Sequence, residues 1–134
     1  MRSVAEWPTG EWVVDPATQV EWPVPEGVSE ARVIEHARRA DAGELSTIRF
    51  FPEYGCETPL WGEGGPVGPE EHGLSEGLAA DLHEWTRFWL TRFDPFDGWD
   101  DGVDVAAWER EGARLVRRVQ IEAYDSVRVL SSFE

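Results

Sequence analysis

The three histidines are the first residues to test for chemistry, because histidine is the usual general base and a common metal ligand. His83 is followed by Glu84, but Arg87 stands where a zinc-binding His-Glu-x-x-His motif has its second histidine. His36 lies in a predicted helix with several arginines, whose positive charge would repel a cation. We therefore predict that His36, His72 and His83 are solvated surface side chains and not metal ligands.

Cys56 is the only cysteine of the chain, which excludes an intrachain disulfide and a tetrahedral cysteine zinc site. A nucleophilic cysteine needs a base or a positive field that stabilises its thiolate, whereas Glu53 and Glu57 flank Cys56 with negative charge. Residues 62–68 are rich in glycine but lack the lysine of a phosphate-binding loop. We therefore expect no catalytic residue, no metal and no cofactor, and a protein that is not an enzyme.

The densest group of carboxylates lies in one short segment and consists of Asp94, Asp97, Asp100, Asp101 and Asp104. Hard oxygen ligands at close spacing are what Ca²⁺ binds in proteins. The spacing differs from that of an EF-hand loop, which has alternate-residue acids, a glycine at its sixth position and a glutamate at its twelfth. Aspartate and glycine are also ordinary turn and N-cap residues. An interhelical turn is therefore the main prediction, and a calcium-binding module built on this cluster is an alternative.

The whole chain is strongly acidic, with 27 acidic residues against 12 basic ones and a formal net charge of −15. Competing interpretations are solubility through mutual repulsion, adaptation to high salt, and complementarity to a basic protein partner. The same sign of charge disfavours direct binding to nucleic acid or to an anionic membrane. The net charge alone does not distinguish solubility, adaptation to high salt and binding of a basic partner.

The acids and bases are segregated along the sequence, which evenly spread solubilising charge does not explain. Neither arginine nor lysine occurs between Arg49 and Arg87, whereas acids are frequent there and in the 94–104 segment. Segregated charge around aromatic anchors is typical of a protein interface. The residues that we predict to contact a basic partner are Glu53, Tyr54, Glu57, Trp61, Glu63, Glu70, Glu71, Asp97, Trp99, Asp100 and Asp101.

A structural interpretation of the same residues stays open beside this one. Trp61 and Trp99 could serve only to attach long loops to the core, since indoles bury large areas. The arginines that cluster over 110–118 could likewise only pair with glutamates of the same helix, such as Glu109 and Glu111.

The elements that must position these residues begin with short apolar pieces near the N-terminus. Trp12–Val14 and Val20–Trp22 predict a strand pair, or one strand with a meandering lead-in. Ser29 is a predicted N-cap for a helix that runs through Ala42 and stops at a glycine. Residues 45–51 are the clearest strand of the chain.

The second half of the chain is predicted to be mostly helical after a long loop. Residues 52–73 are rich in glycine and proline, and a loop of this length in a compact domain is often functional. Ser75 caps a second helix that should run to about Phe93, because its apolar residues recur with helical spacing. A third helix should start near Asp104, and residues 126–130 form the last strand.

These elements together predict one α+β domain over residues 1–134. We expect a small, mostly antiparallel sheet with two or three helices packed on one face, and a long Gly/Pro-rich loop. The first residues lack the apolar run of a signal peptide. No stretch approaches the roughly 20 apolar residues that span a bilayer. We therefore expect a cytoplasmic protein that does not contact the membrane.

Two stretches carry a resemblance to known proteins. The run FFPEYGC at 50–56 with PLW at 59–61, and GWD at 98–100 leading into WExEG at 108–112, resemble small uncharacterised actinobacterial proteins. In overall character the chain is similar to bacterial immunity proteins, which are small, acidic and cytoplasmic and block the basic catalytic cleft of a toxin. The resemblance implies an inhibitor of a basic toxin or enzyme and no chemistry. The alternative is a stand-alone adaptor or structural module that is acidic for solubility only.

Overall fold

The architecture consists of short strands around three regular helices within residues 2–3 and 11–133, which a computed structural model describes. The helices are α1 (Glu30–Asp41), α2 (Glu76–Arg92) and α3 (Val105–Glu122), and Pro69–His72 forms a short 3₁₀ turn. In chain order the strands are β1 (Arg2–Ser3), β2 (Trp12–Val14), β3 (Glu21–Pro23), β4 (Ser46–Phe50), β5 (Leu60–Gly62), β6 (Gly65–Pro66), β7 (Phe93–Asp94), β8 (Gly98–Trp99) and β9 (Val127–Ser131). The predicted α+β class is confirmed.

The main sheet has the order β1-β9-β4-β5-β6. Its central pair, β4 and β9, is parallel and runs in register from Ser46 opposite Val127 to Phe50 opposite Ser131. The other pairs of this sheet are antiparallel, so the predicted antiparallel character holds for all but the centre. Parallel neighbours need a long crossover, and here both α2 and α3 lie in the chain between the two strands.

One face of the main sheet carries the larger hydrophobic core. Alternation along β4 and β9 buries Ile48 and Phe50 with Val127 and Val129, and α2 and α3 cover these side chains with their apolar stripes. Most of the predicted α2 stripe is buried, including Leu78. Helix α1 packs elsewhere, on β2 and β3, so two helices cover this face of the sheet.

Gly112 allows α3 to approach its neighbours closely. A Cβ atom at Gly112 would lie 2.6 Å from Cζ2 of Trp85 and 2.7 Å from Cζ of Phe133. Both distances are far below ordinary van der Waals contact. The indole of Trp85 and the ring of Phe133 therefore occupy the space that any other residue's side chain would need.

The predicted 52–73 loop is more structured than expected. Strands β5 and β6 form a hairpin within it and extend the main sheet beside β4. Leu60 is fully buried, and the half-buried Val67 packs on the core, so the segment packs on the rest of the fold. The strands are too short to show an alternating pattern, so the glycines and prolines dominated the prediction.

The prediction that all histidines are solvated is wrong for His36. This side chain is 6% exposed, and its Nδ1 lies 2.8 Å from the carbonyl oxygen of Tyr124. The ring also stacks on that of Tyr124, with 4.3 Å between centroids. His36 follows the buried Val33 by one helical turn and therefore lies on the inner face of α1. The arginines one helical turn on either side of His36 hydrogen-bond to Asp125.

Candidate functional site

Tyr54 attaches the predicted 53–57 contact segment to the end of α2. Its ring lies 4.6 Å from that of Trp89, and its hydroxyl donates a hydrogen bond to the carbonyl oxygen of Phe93 at 3.3 Å. Desolvation, followed by the negative charges of Asp94 and Glu53, raises the pKa of Tyr54. The hydrogen bond to Phe93 places Tyr54 beside strand β7.

A short antiparallel hairpin, β7–β8, replaces the predicted interhelical turn, and residues 93–99 are called the acidic hairpin from here on. Oδ1 of Asp94 accepts hydrogen bonds from the backbone N–H groups of Phe96 at 2.8 Å and Asp97 at 2.9 Å. The same bonds lower the pKa of Asp94, because they stabilise its carboxylate. Gly98 has a φ of +77°, which suits glycine in the turn back into β8.

Phe96 stands at the tip of the acidic hairpin with 94% of its surface exposed. No sequence pattern pointed to it, since an isolated phenylalanine beside proline and aspartate fits a buried turn equally well. Single exposed apolar side chains are common, and exposed apolar surface is typical of interaction sites where polar groups form its rim. Asp94 and Asp97 flank the tip, and Asp100 and Asp101 follow it, all of them exposed.

Trp99 anchors the acidic hairpin to the core. Its ring makes edge contacts with Phe93 at 5.4 Å and Trp108 at 4.9 Å between centroids. Asp100 accepts a hydrogen bond from Nε of Arg92 at 3.0 Å, which fixes the return of the chain toward α3. Trp99 therefore has the structural role that the sequence had left open.

Trp61 lies on the opposite side of the main sheet from the core. It stacks on Phe51 with 5.0 Å between nearly parallel rings, and its Nε1 donates to the Phe51 carbonyl oxygen at 3.0 Å. Together with Glu63 it lines a depression that also contains Arg49 and Arg128. Trp61 and Glu63 are therefore surrounded by arginine on the sheet and do not join the acidic hairpin.

The remaining predicted contact residues lie beside α2 or before its first residue. Glu57 lies 3.9 Å from Nδ1 of His83 on the exposed side of that helix. Glu70 and Glu71 belong to the 3₁₀ turn that precedes α2, whereas the acidic hairpin follows its last residue. Helix α2 has 17 residues, about 25 Å at 1.5 Å per residue. Of the predicted set, the structure therefore brings together Glu53, Tyr54, Asp97, Trp99, Asp100 and Asp101.

A groove between α2 and α3 adjoins the acidic hairpin, and the sequence did not reveal it. It has a volume of about 450 Å³ and is called the tryptophan groove below. Its residues are Asp81, Glu84, Trp85, Phe88, Asp104, Ala107, Trp108 and Glu111. Trp85 and Trp108 stack with 4.3 Å between centroids, and Nε1 of Trp85 donates to the Trp108 carbonyl oxygen at 3.0 Å. The available signal in the sequence was the i, i+3 and i+4 spacing of Asp81, Glu84 and Trp85, which places two acids and a tryptophan on one face of α2.

Three of the five aspartates of the 94–104 segment have individual structural roles. Asp94 holds the hairpin tip, Asp100 pairs with Arg92, and Asp104 caps α3 by accepting from the N–H of Ala107 at 3.0 Å. Among the residues that the structure describes, no three His, Cys, Asp or Glu side chains form a group that could hold a metal ion. The geometry therefore gives the calcium alternative no support.

No helix in the described part of the chain is long and apolar enough to cross a bilayer.

Comparison with known proteins gives the class of the chain. The model of a family described as Serratia CdiI immunity protein-like matches residues 46–132. The match runs from β4 through β9 and includes α2, the acidic hairpin and α3. Because it covers more than half of the chain, the chain belongs to this immunity protein-like family. Neither the curated proteins nor the solved structures contain a match.

Proposed function

We propose that this protein is a cytoplasmic immunity protein that binds and inhibits a toxin with a basic surface. The observation that carries the proposal is Phe96, 94% exposed at the tip of a rigid hairpin among carboxylates, inside the region matched by the family. The protein acts by occupying the toxin's surface, and it needs no catalytic step and no cofactor for this.

Phe96 serves as the apolar anchor of the contact. Burying a phenylalanine side chain contributes about 1.5–3 kcal/mol, and aromatic anchors at the centre of an interface dominate binding energies. The Phe96 ring would enter an apolar pocket of the toxin. In the free protein the exposed ring has an unfavourable free energy of hydration, which burial against a partner removes.

The carboxylates around the anchor supply specificity and speed of association. Asp97, Asp101 and Glu53 are exposed, and none of them makes an ion pair with a described residue. Unpaired surface acids attract a basic partner over the Debye length and raise the association rate. A toxin that acts on an anionic substrate would present complementary basic groups.

The hairpin is also preorganised for binding. Asp94 fixes its tip, Trp99 fixes its base, and Tyr54 supports it from the side. A rigid loop loses little conformational entropy on association. The toxin contact therefore retains most of the energy that burial of Phe96 supplies.

The proposal is tested by capturing the partner of the tagged protein from a native lysate at moderate salt and identifying it by mass spectrometry. Phe96→Ala and Asp97→Arg should each reduce capture, and the matched controls are Val20→Ala and Glu26→Arg on exposed positions before α1. One stoichiometric basic partner lost only with the hairpin variants supports the proposal. Capture of no partner at all, or equal capture by all variants, contradicts it and favours the adaptor alternative.

A further inference from the structure

We infer that the tryptophan groove receives an arginine side chain of the toxin. This inference rests on the proposed function and adds a second contact site beside the acidic hairpin. The groove is a cavity of about 450 Å³ with an aromatic floor, and carboxylates form its rim. The aromatic floor alone or the acidic rim alone would not identify an occupant. Together they match a side chain that has an apolar stem and a cationic end.

The floor of the groove is apolar and fixed in place. Trp85 and Trp108 are 4% and 7% exposed, and each indole N–H donates to the backbone carbonyl oxygen of the other residue. Because the indole donors are already used and the two rings stack on each other, the floor offers only a small apolar edge without free hydrogen-bonding groups. Phe88 forms a wall and is 39% exposed.

The rim is acidic, with part of its charge neutralised by the protein itself. Arg114 pairs with Glu111 at 2.7 Å, and Arg118 pairs with Asp81. Glu84 is exposed and forms neither a hydrogen bond nor an ion pair with the described residues. The carboxylate of Glu84 is thus available to a cation from outside, and Asp104, the N-cap of α3, lines the same groove.

An arginine side chain fits this combination better than other partner groups. Its planar guanidinium stacks on aromatic rings, and its donors bind carboxylates in a forked geometry. The chain already contains one such contact, since the guanidinium of Arg92 lies 5.7 Å from the centre of the Phe88 ring. An anionic group would be repelled by the rim, and a purely apolar group would leave Glu84 desolvated and unpaired.

The tryptophan groove is continuous with the acidic hairpin, so one partner can contact both. Trp99 of the hairpin lies 4.9 Å from Trp108 and 6.3 Å from Phe88 between ring centroids. An apolar pocket on the toxin that takes Phe96 can therefore have a basic side chain beside it that enters the groove.

The test uses a short peptide containing one arginine, titrated into the isotope-labelled full chain while the indole N–H signals are followed by NMR. The matched probe is the same peptide with citrulline, which keeps the shape but lacks the charge. We expect saturable shifts of the Trp85 and Trp108 signals with the arginine peptide only. The double variant Glu84→Gln with Asp104→Asn should abolish them, and Glu26→Gln should not. Absent shifts, or equal shifts with both peptides, would overturn the inference.

The captured toxin separates this inference from the proposed function. The Glu84→Gln and Asp104→Asn pair should weaken binding of that toxin about tenfold, while Glu26→Gln leaves the affinity unchanged. If Phe96→Ala weakens binding but the groove variants bind like the parent protein, the groove assignment is wrong and the proposed function stands. If the arginine peptide binds the groove but the protein has no toxin partner, the proposed function is wrong and the site remains.

Discussion

At the scale of single residues, burial changes the titration of His36. It is buried between Trp22 and Tyr124, and its Nδ1 contacts a backbone carbonyl oxygen. Desolvation by burial lowers its pKa from the ordinary value of 6.5, and this effect outweighs the hydrogen bond to Tyr124, which acts in the opposite direction. The neutral ring is thus the form that the folded protein stabilises.

The lowered pKa of His36 predicts that acid destabilises the protein through this residue. Below pH 6.5 the unfolded chain binds a proton that folded His36 resists, so the free energy of unfolding falls as pH falls through the folded pKa. Urea melts at about pH 7.5 and about pH 5.5 should show this loss. His36→Gln should reduce the difference between the two pH values, whereas the exposed control His83→Gln should retain it. An unchanged pH dependence in His36→Gln would contradict the assignment.

Gly112 gives a second prediction at this scale. Gly112→Ala should lower the free energy of unfolding by about 1–3 kcal/mol, because its Cβ would overlap Trp85 and Phe133. The matched control is Gly77→Ala in α2, where an added Cβ meets nothing within 4 Å. That control should stabilise the helix by about 0.5–1 kcal/mol. Chemical melts measure both, and equal effects of the two substitutions would show that the close contact is absent.

At the scale of elements, the acidic hairpin depends on Asp94 for its shape. Asp94→Ala removes the acceptor of two backbone N–H groups, so the tip should become mobile and the affinity for the toxin should fall about 2–10-fold. Asp94→Asn removes the same charge but keeps a side-chain oxygen and is the matched control. Faster amide exchange at Phe96 and Asp97 in the alanine variant alone would support the prediction. Equal affinities of the two variants would mean that only the charge matters.

Helix ends were predictable because their signals are local. Ser29, Ser75 and Asp104 each accept a hydrogen bond from a backbone N–H in the first turn of the following helix, as their positions in the sequence predicted. The parallel pairing of β4 with β9 was not predictable, since it joins strands far apart in the chain. Gln120, buried at 1%, supports this arrangement by bonding the backbone of Val127 and Val129 at 2.8 Å. Its role depends on tertiary contacts that no periodicity shows.

At the scale of the whole molecule, the segregation of charge along the sequence is only partly kept in space, because arginines of α2 and α3 pair with acids of the hairpin segment and the groove. The acidic hairpin and the tryptophan groove lie at α2 and α3, while Arg49 and Arg128 lie on the opposite face of the main sheet. From the sequence we predicted an acidic binding surface and grouped Trp61 and Glu63 with it, since they are close to other acids in the chain. They lie elsewhere in the structure, because residues close in sequence need not share a face of a sheet. It missed Phe96 and the tryptophan groove, since exposure and cavity shape emerge only from packing.

The most direct test of the central claim is protection of cells that produce the captured partner. The parent protein and the control Val20→Ala should restore growth when co-produced with that partner. Phe96→Ala combined with Asp97→Arg should fail to protect, although its melting temperature matches that of the parent, because the anchor of the contact is lost while the fold is kept. Full protection by the double variant, or no protection by the parent protein, would contradict the account.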